Sequence, residues 1–282
     1  GVLDIVRNLY PQTDVILVRL SGPQVEHSGV VSGMSGSPIY INGKLAGALA
    51  LRFGEFPKDP IGGVMPIETM LQVANKDQHY RLERGTLQFS GPFLQNTLCG
   101  TAPDFWSAMI SQWQGQVVAA PHRIESPLVF AGFSESLLSE VAPWVRTLGF
   151  QAVAGGSSAT TDFKPDGRLE PGAAVSQLFV GGDVSIDATG TVTAVQGKRV
   201  LAFGHHIFNL GPTSLPMASS RILTTLSSVM ASSKMSISLD VIGTLRQDRM
   251  AGVYGELGSP PPMIPVNITT ESLAEGRRSF RL

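Results

Sequence analysis

Two apolar runs flank the dipeptide Asn42-Gly43, and this arrangement constrains the fold more than any other part of the chain. Residues 39–41 read Ile-Tyr-Ile, and residues 45–51 read Leu-Ala-Gly-Ala-Leu-Ala-Leu. Asn-Gly is the strongest short signal for a β-hairpin, because both residues accept the positive φ of a type I′ turn. The sequence therefore predicts two antiparallel strands that meet at this dipeptide.

A string of mostly small residues, Ser-Gly-Met-Ser-Gly-Ser-Pro at 32–38, leads directly into the hairpin. Its glycines allow the backbone to turn sharply, which would present the hydroxyl of Ser35 as a nucleophile. The amide groups of Gly33 and Ser35 could then converge on one spot and stabilise an oxyanion. The alternative is a plain Gly- and Ser-rich turn between strands, but the length of the string and the hairpin behind it favour a nucleophile.

Composition limits the other possibilities. The chain has 282 residues, of which 43% are hydrophobic and 15% charged, so it can bury a sizeable core. Its 31 glycines and 19 prolines favour a β protein rich in turns, and its formal net charge of −1 indicates neither a nucleic acid nor an anionic membrane as partner. Cys99 is the only cysteine, which excludes an intrachain disulfide, a cysteine-built zinc site and a redox pair. No run reaches the ~18 apolar residues of a membrane span.

Patterning divides the chain into three parts. Residues 1–89 are predicted to form a β-rich half that carries the serine turn, and residues 171–282 a second β-rich half that carries a histidine pair. Residues 90–170 are predicted to be an insert or linker that contains helices over 103–113 and 134–147, where apolar residues recur at helical spacing.

A serine nucleophile needs a base within hydrogen-bond reach, and the histidines are the candidates. His205 follows Gly204 at the end of an apolar strand predicted over 200–203, a position suited to a catalytic base. His206 ranks second, because neighbouring residues of a continuing strand point to opposite sides. The alternative for His205 is a histidine at the edge of the core that bonds only to backbone.

The acid that would orient the base is less clearly marked. Asp14 leads a buried strand predicted over 15–20, although it could equally cap the turn after Pro11. Asp240 is a rival, because it ends a strand in the same half as His205. A dyad without a carboxylate is also open.

Two blocks of the chain resemble the SpoIVB peptidases, serine endopeptidases of the trypsin-like clan. The first is Gly-Val-Val-Ser-Gly-Met-Ser-Gly-Ser-Pro-Ile at 29–39, with the hairpin at 42–48. The second is Val-Leu-Ala-Phe-Gly-His at 200–205, preceded by Gly-Thr-Val-Thr at 190–193. A weaker third block is similar at 242–245 and 251–257.

The resemblance implies a trypsin/chymotrypsin-like double β-barrel in which Ser35 is the nucleophile and His205 the general base. The serine block precedes the histidine block here, so the double barrel would be permuted. Such a change is tolerable because a triad is defined by geometry and not by chain order. The acid of the family falls near Leu20 and Ser21, where this chain has no Asp or Glu.

In the trypsin-like clan, a strand after the nucleophile hairpin pairs with the substrate backbone by β-augmentation. We expect Ile61, Gly62, Gly63 and Val64 to take this part here, with the two glycines leaving room for a small or apolar substrate side chain. The expected partner is therefore a peptide or protein, and no cofactor or metal is implied.

The sequence thus predicts a serine endopeptidase that acts through an acyl-enzyme intermediate. The missing acid near Leu20 motivates an alternative, a catalytically impaired protease-fold module that binds peptides or serves as a scaffold. Residue 1 begins directly in strand-like sequence, as an interior segment of a longer chain would. Self-cleavage is therefore a third expectation.

Overall fold

The Asn42-Gly43 hairpin is present in the structure, a computed structural model, and its strands are β3 (Pro38–Ile41) and β4 (Lys44–Phe53). Asn42 has a φ of 50° and Gly43 a φ of 75°, as expected for a turn with two positive-φ residues. This prediction is confirmed. The structure describes residues 1–54, 59–75, 121–156, 169–228, 232–272 and 276–282.

Strands dominate the described residues, so the fold is mostly β. The remaining elements, in chain order, are β1 (Val2–Tyr10), β2 (Thr13–Arg19), α1 (Pro23–Ser28), β5 (Ile61–Pro66), α2 (Ile67–Asn75), β6 (Pro121–Arg123), β7 (Ser126–Ala131), α3 (Glu135–Thr147), β8 (Phe150–Gly155), β9 (Ala174–Val180), β10 (Ser185–Gln196), β11 (Arg199–Ala202), β12 (Gly211–Leu226), β13 (Ser233–Arg249), β14 (Gly252–Leu257), β15 (Asn267–Ser272) and β16 (Gly276–Arg281). Within these ranges, no helix is long and apolar enough to cross a membrane.

The first sheet has six antiparallel strands, with five in the order β1-β2-β5-β4-β3. The sixth, β6, pairs with β4 at residues 51–53, whereas β3 pairs with β4 at residues 44–48. On the edge that does not pair with β5, strand β4 therefore has two successive partners along its length. One is the other strand of its own hairpin, and the other comes from a distant part of the chain.

The second sheet has eight strands in the order β11-β14-β13-β12-β9-β10-β7-β8. Because β10 also pairs with β11, the six strands β9 to β14 close into a ring. Strands β7 and β8 extend the sheet from β10 and pair with each other in parallel. Strands β15 and β16 form a separate hairpin.

Two apolar cores hold these sheets. One joins ring strands to the α3–β8 unit, and its members include Phe150, Val192, Met217 and Leu245. The other packs the first sheet and α2 against ring strands, and its members include Ala48, Leu51, Met70, Leu201 and Tyr254. Burial of this second set brings the serine turn of the first sheet next to the ring, because β4 lies directly behind that turn.

The predicted insert at 90–170 is not separate from the sheets where the structure describes it. Strand β6 joins the first sheet, and β7 and β8 join the second. The helix predicted over 134–147 is present as α3, with the Ser134 hydroxyl accepting a hydrogen bond from Leu137 N–H as its N-cap. Its apolar face is only partly covered, because Val145 is buried whereas Trp144 is 55% exposed. The helix predicted over 103–113 lies outside the described residues.

Candidate functional site

The turn that carries Ser35 is bonded to its own hairpin. The Gly36 amide donates to the Leu49 carbonyl at 2.8 Å, and the Leu49 amide donates to the Ser37 carbonyl at 2.9 Å. Two further turn bonds, Met34 N–H to Val31 O and Ser37 N–H to Met34 O, fold the chain tightly around Ser35. The hydroxyl therefore lies at a fixed position above β4.

The same turn is bonded to strand β10 of the ring. The Thr191 amide donates to the Ser35 carbonyl at 2.9 Å, and the Thr193 hydroxyl donates to the Gly36 carbonyl at 2.8 Å. Gly36 has a φ of +93°, and a Cβ there would overlap the Thr191 carbonyl oxygen. Only glycine fits this approach of two backbones, so the string around Ser35 is required by the packing of the turn on the ring.

His205 is presented by a second tight turn at the end of β11. Phe203 and Gly204 both have a φ of 67°, which is a strained conformation for the bulky, fully buried Phe203. The Phe203 amide donates to the Thr191 carbonyl at 3.1 Å, and a Cβ on Gly204 would lie 3.4 Å from the Leu49 carbonyl oxygen. The serine turn and the histidine turn therefore both lie next to the backbone of Leu49 and Thr191.

The two side chains are buried, and each has one atom without a partner. Ser35 is 0% and His205 4% exposed, and neither Ser35 Oγ nor His205 Nε2 makes a hydrogen bond, to the other or to any described residue. His205 Nδ1 lies 2.7 Å from the His206 carbonyl oxygen. Burial lowers the pKa of His205 from 6.5 to about 4, and the hydrogen bond to His206 partly opposes this. The imidazole is therefore neutral at pH 7.

The carbonyl of His206 takes the place where the sequence predicted a carboxylate. Asp14 does not reach His205, because it is exposed and accepts a hydrogen bond from the Asn8 amide at 2.9 Å in the β1–β2 hairpin. Asp240 is likewise exposed, on β13. The prediction that Asp14, or its rival Asp240, is the acid is therefore corrected. Asp14 instead has its other predicted role, which is to bond within a turn.

Asp248 is a buried carboxylate that the sequence reading missed. Its two oxygens accept hydrogen bonds from the amides of Ile207 at 2.7 Å and Phe208 at 2.8 Å. These residues directly follow the histidine pair, so Asp248 fixes the loop that leaves His205. Its position on β13, 43 residues after His205 (248 − 205), gave no local signal.

The two amides predicted to form an oxyanion hole differ in their bonding. The Ser35 amide donates to none of the described residues, but the Gly33 amide donates to the Glu125 carbonyl at 3.1 Å. Gly33 N–H is therefore occupied in this structure by a peptide carbonyl of the chain itself. An acceptor from a bound peptide would have to replace it.

Lys234 is a second residue that the sequence did not indicate. Its Nζ donates to the Gly33 carbonyl at 3.0 Å and to the Thr191 hydroxyl at 3.3 Å. Burial lowers the pKa of this lysine from 10.5 to about 8. The Lys234 amide also donates to the Ser32 carbonyl at 3.1 Å, so the first residues of β13 hold the serine turn from a third side.

The strand expected to bind substrate has no free edge. In β5, Gly62 and Gly63 pair with β2 on one side and with β4 on the other, and Val64 does the same. A Cβ on Gly62 would lie 2.5 Å from Leu49 Cδ1, and one on Gly63 would lie 2.9 Å from Leu51 Cβ. The glycines admit core leucines and not a ligand, so the assignment of Ile61, Gly62, Gly63 and Val64 to substrate pairing is corrected.

No cluster of three metal-ligating side chains occurs in the part of the chain that the structure describes. Comparison with known proteins does not add to the geometry. No protein-family model, curated protein or solved structure matches the chain.

Proposed function

We propose that the chain is a serine endopeptidase that cleaves peptide bonds through an acyl-enzyme intermediate, with Ser35 as nucleophile and His205 as base. One observation carries the proposal. Ser35 Oγ and His205 Nε2 are buried without partners on two tight turns that share the Leu49 and Thr191 backbone. Each buried, unpaired polar group costs about 1–3 kcal/mol, and functional sites are where such costs concentrate.

The tautomer of His205 suits a general base. If Nδ1 carries the proton, it donates to the His206 carbonyl at 2.7 Å and leaves the Nε2 lone pair free. His205 Nε2 would take the hydroxyl proton as Ser35 Oγ attacks the substrate carbonyl, and it would return that proton to the leaving amine. Water would then attack the acyl-enzyme, with His205 Nε2 taking a proton from the water and passing it to Ser35 Oγ as the acyl group leaves. The Ser35 amide, and Gly33 once Glu125 is displaced, would stabilise the oxyanion.

The mostly β architecture is the basis for the fold that goes with this proposal. On this proposal, the chain is a peptidase similar to the SpoIVB family, in which the six-stranded ring is one barrel of a permuted trypsin-like fold and the open first sheet is its other half. The ring-like sheet and the Gly-Met-Ser-Gly-Ser-Pro turn support this interpretation.

A peptide-binding module without catalysis is the second candidate, and two observations favour it. His205 has a carbonyl and not a carboxylate at Nδ1, and Gly33 N–H is already bonded to Glu125. Both candidates bind an extended peptide next to Ser35, but only the first cleaves it.

Hydrolysis of a labelled, denatured protein such as fluorescent casein separates the two candidates. We expect the unaltered chain to release fluorescence and Ser35→Ala to abolish it, because the nucleophile is lost. Ser37→Ala is the matched control, since Ser37 lies in the same turn, and it should keep the activity. Proteolysis that survives Ser35→Ala would refute the endopeptidase, and a chain that binds but never cleaves would establish the second candidate.

A further inference from the structure

The segment at residues 121–126 runs along β4 and contacts both the serine turn and the histidine turn. Strand β6 supplies its first three residues, and in β4 Leu51 faces Arg123, Arg52 faces His122 and Phe53 faces Pro121. Beyond β6, the Ile124 amide donates to the Ala50 carbonyl at 3.0 Å. The segment thus continues antiparallel to β4 until it reaches the serine turn.

The next residue, Glu125, bonds to one of the two amides predicted to form the oxyanion hole. The Glu125 carbonyl accepts the hydrogen bond from Gly33 N–H at 3.1 Å, and its side chain pairs with Arg52 at 3.6 Å. On the proposed function, a substrate carbonyl would accept this same hydrogen bond from Gly33 N–H.

The segment also reaches the histidine turn. Arg123 Nη1 donates to the His206 carbonyl at 3.0 Å, which is the same oxygen that bonds His205 Nδ1. An interaction with the Ile124 backbone opposes the lowering of the His205 pKa by burial. Ile124 itself is 1% exposed, so its aliphatic side chain is buried where the segment passes the site.

These contacts are those of an extended peptide added to a sheet edge, in which backbone bonds supply affinity and side-chain spaces supply specificity. We propose that β4, at residues 50–53, is the peptide-binding edge of the site and that residues 121–126 are its resident, displaceable occupant. The proposal rests on the proposed function and deepens it. The ligand class is an extended peptide with an aliphatic residue at the position of Ile124, followed by a residue whose carbonyl bonds to Gly33 N–H.

A peptide with the sequence of the segment, fluorescein-Pro-His-Arg-Ile-Glu-Ser, tests this by fluorescence anisotropy. The full chain carries Ser35→Ala, so that no cleavage occurs, together with Ile124→Ala to loosen the resident segment. The control carries Ser35→Ala with Val145→Ala, which shortens a buried side chain on α3 and leaves the segment in place. We expect the peptide to bind the Ile124→Ala chain at least about tenfold more tightly than it binds this control. Equal affinity of the two folded variants would overturn the proposal.

Hydrogen exchange of the chain with Ser35→Ala alone does not depend on the folding of the Ile124 variant. Saturating unlabelled peptide should speed exchange of the Ile124 amide at least about tenfold, because the segment is displaced, while Gly33 stays protected by the carbonyl of the peptide. The Leu49 amide, bonded to Ser37 within the hairpin, should not change. No change at Ile124 would overturn the proposal. Both measurements are independent of proteolysis. They can therefore still be interpreted if the chain proves not to be an endopeptidase.

Discussion

At the scale of single residues, the site combines two buried polar atoms without partners and a strained backbone. Ser35 Oγ and His205 Nε2 are the two atoms, and the backbone that presents His205 has a positive φ at a fully buried phenylalanine. Strain of this kind costs about 1–3 kcal/mol and persists only where the surrounding structure enforces it. The bonds from Thr191 and the contact with Leu49 supply that enforcement.

Burial of His205 should make stability depend on pH. Its pKa is about 4 in the folded chain and about 6.5 in the unfolded chain, so between these values only the unfolded chain binds the proton. The free energy of unfolding should therefore fall as the pH drops from 6.5 towards 4, by at most about 1.4 kcal/mol per pH unit from this group. His205→Gln should flatten the slope in urea unfolding measured at several pH values.

His206 provides the comparison for that measurement. Burial also lowers its pKa, so His206→Gln should remove only its own share of the slope. An unchanged pH dependence in His205→Gln would show that His205 does not remain neutral in the folded chain.

The residues of the candidate site were predictable to different degrees. Ser35 and His205 lie in local strings of glycine and apolar residues, so the sequence marked them. Lys234 and Asp248 act on backbone groups of residues far away in the chain, and no local pattern records such contacts. Asp14 was misread because an aspartate before a strand has the same local sequence whether it serves a histidine or bonds within a turn.

Strand pairing decides which backbone is available at the scale of the elements. The order β2-β5-β4 closes both edges of β5, whereas β4 changes partner from β3 to β6 along its length. The hairpin was predictable from Asn42-Gly43, because its signal is contained in two residues. The pairing of β6 with β4 was not, since about 70 residues separate them and contacts of that range leave no periodic pattern.

Gly36 tests the contact between the serine turn and strand β10. Gly36→Ala combines an unfavourable positive φ with an overlap on the Thr191 carbonyl, so it should lower the free energy of unfolding by more than about 3 kcal/mol. Gly29→Ala is the matched control, because Gly29 also has a positive φ but an added Cβ would meet nothing within 4 Å. It should cost only about 1–2 kcal/mol in denaturant unfolding. Equal losses would mean that the turn does not pack on β10 as described.

The ring and the first sheet contribute different parts of the site at the scale of the whole molecule. The first sheet provides Ser35 and β4, the ring provides His205, Thr191 and Lys234, and the segment before β7 crosses between them. That strands dominate the chain was predictable from the distribution of short apolar runs. The closure of one sheet into a ring and the open path of the other were not predictable. Closure depends on which strands pair and not on where strands occur.

Peptide mapping by mass spectrometry after treatment with a fluorophosphonate tests most directly whether Ser35 is a nucleophile activated by His205. We predict a single adduct on the peptide that contains Ser35, formed slowly because the site is covered. The labelling rate should fall about 100-fold or more in His205→Gln, as expected on loss of a general base, and much less in His206→Gln. An adduct on another residue, or a labelling rate that does not depend on His205, would contradict the role of Ser35 as a nucleophile activated by His205.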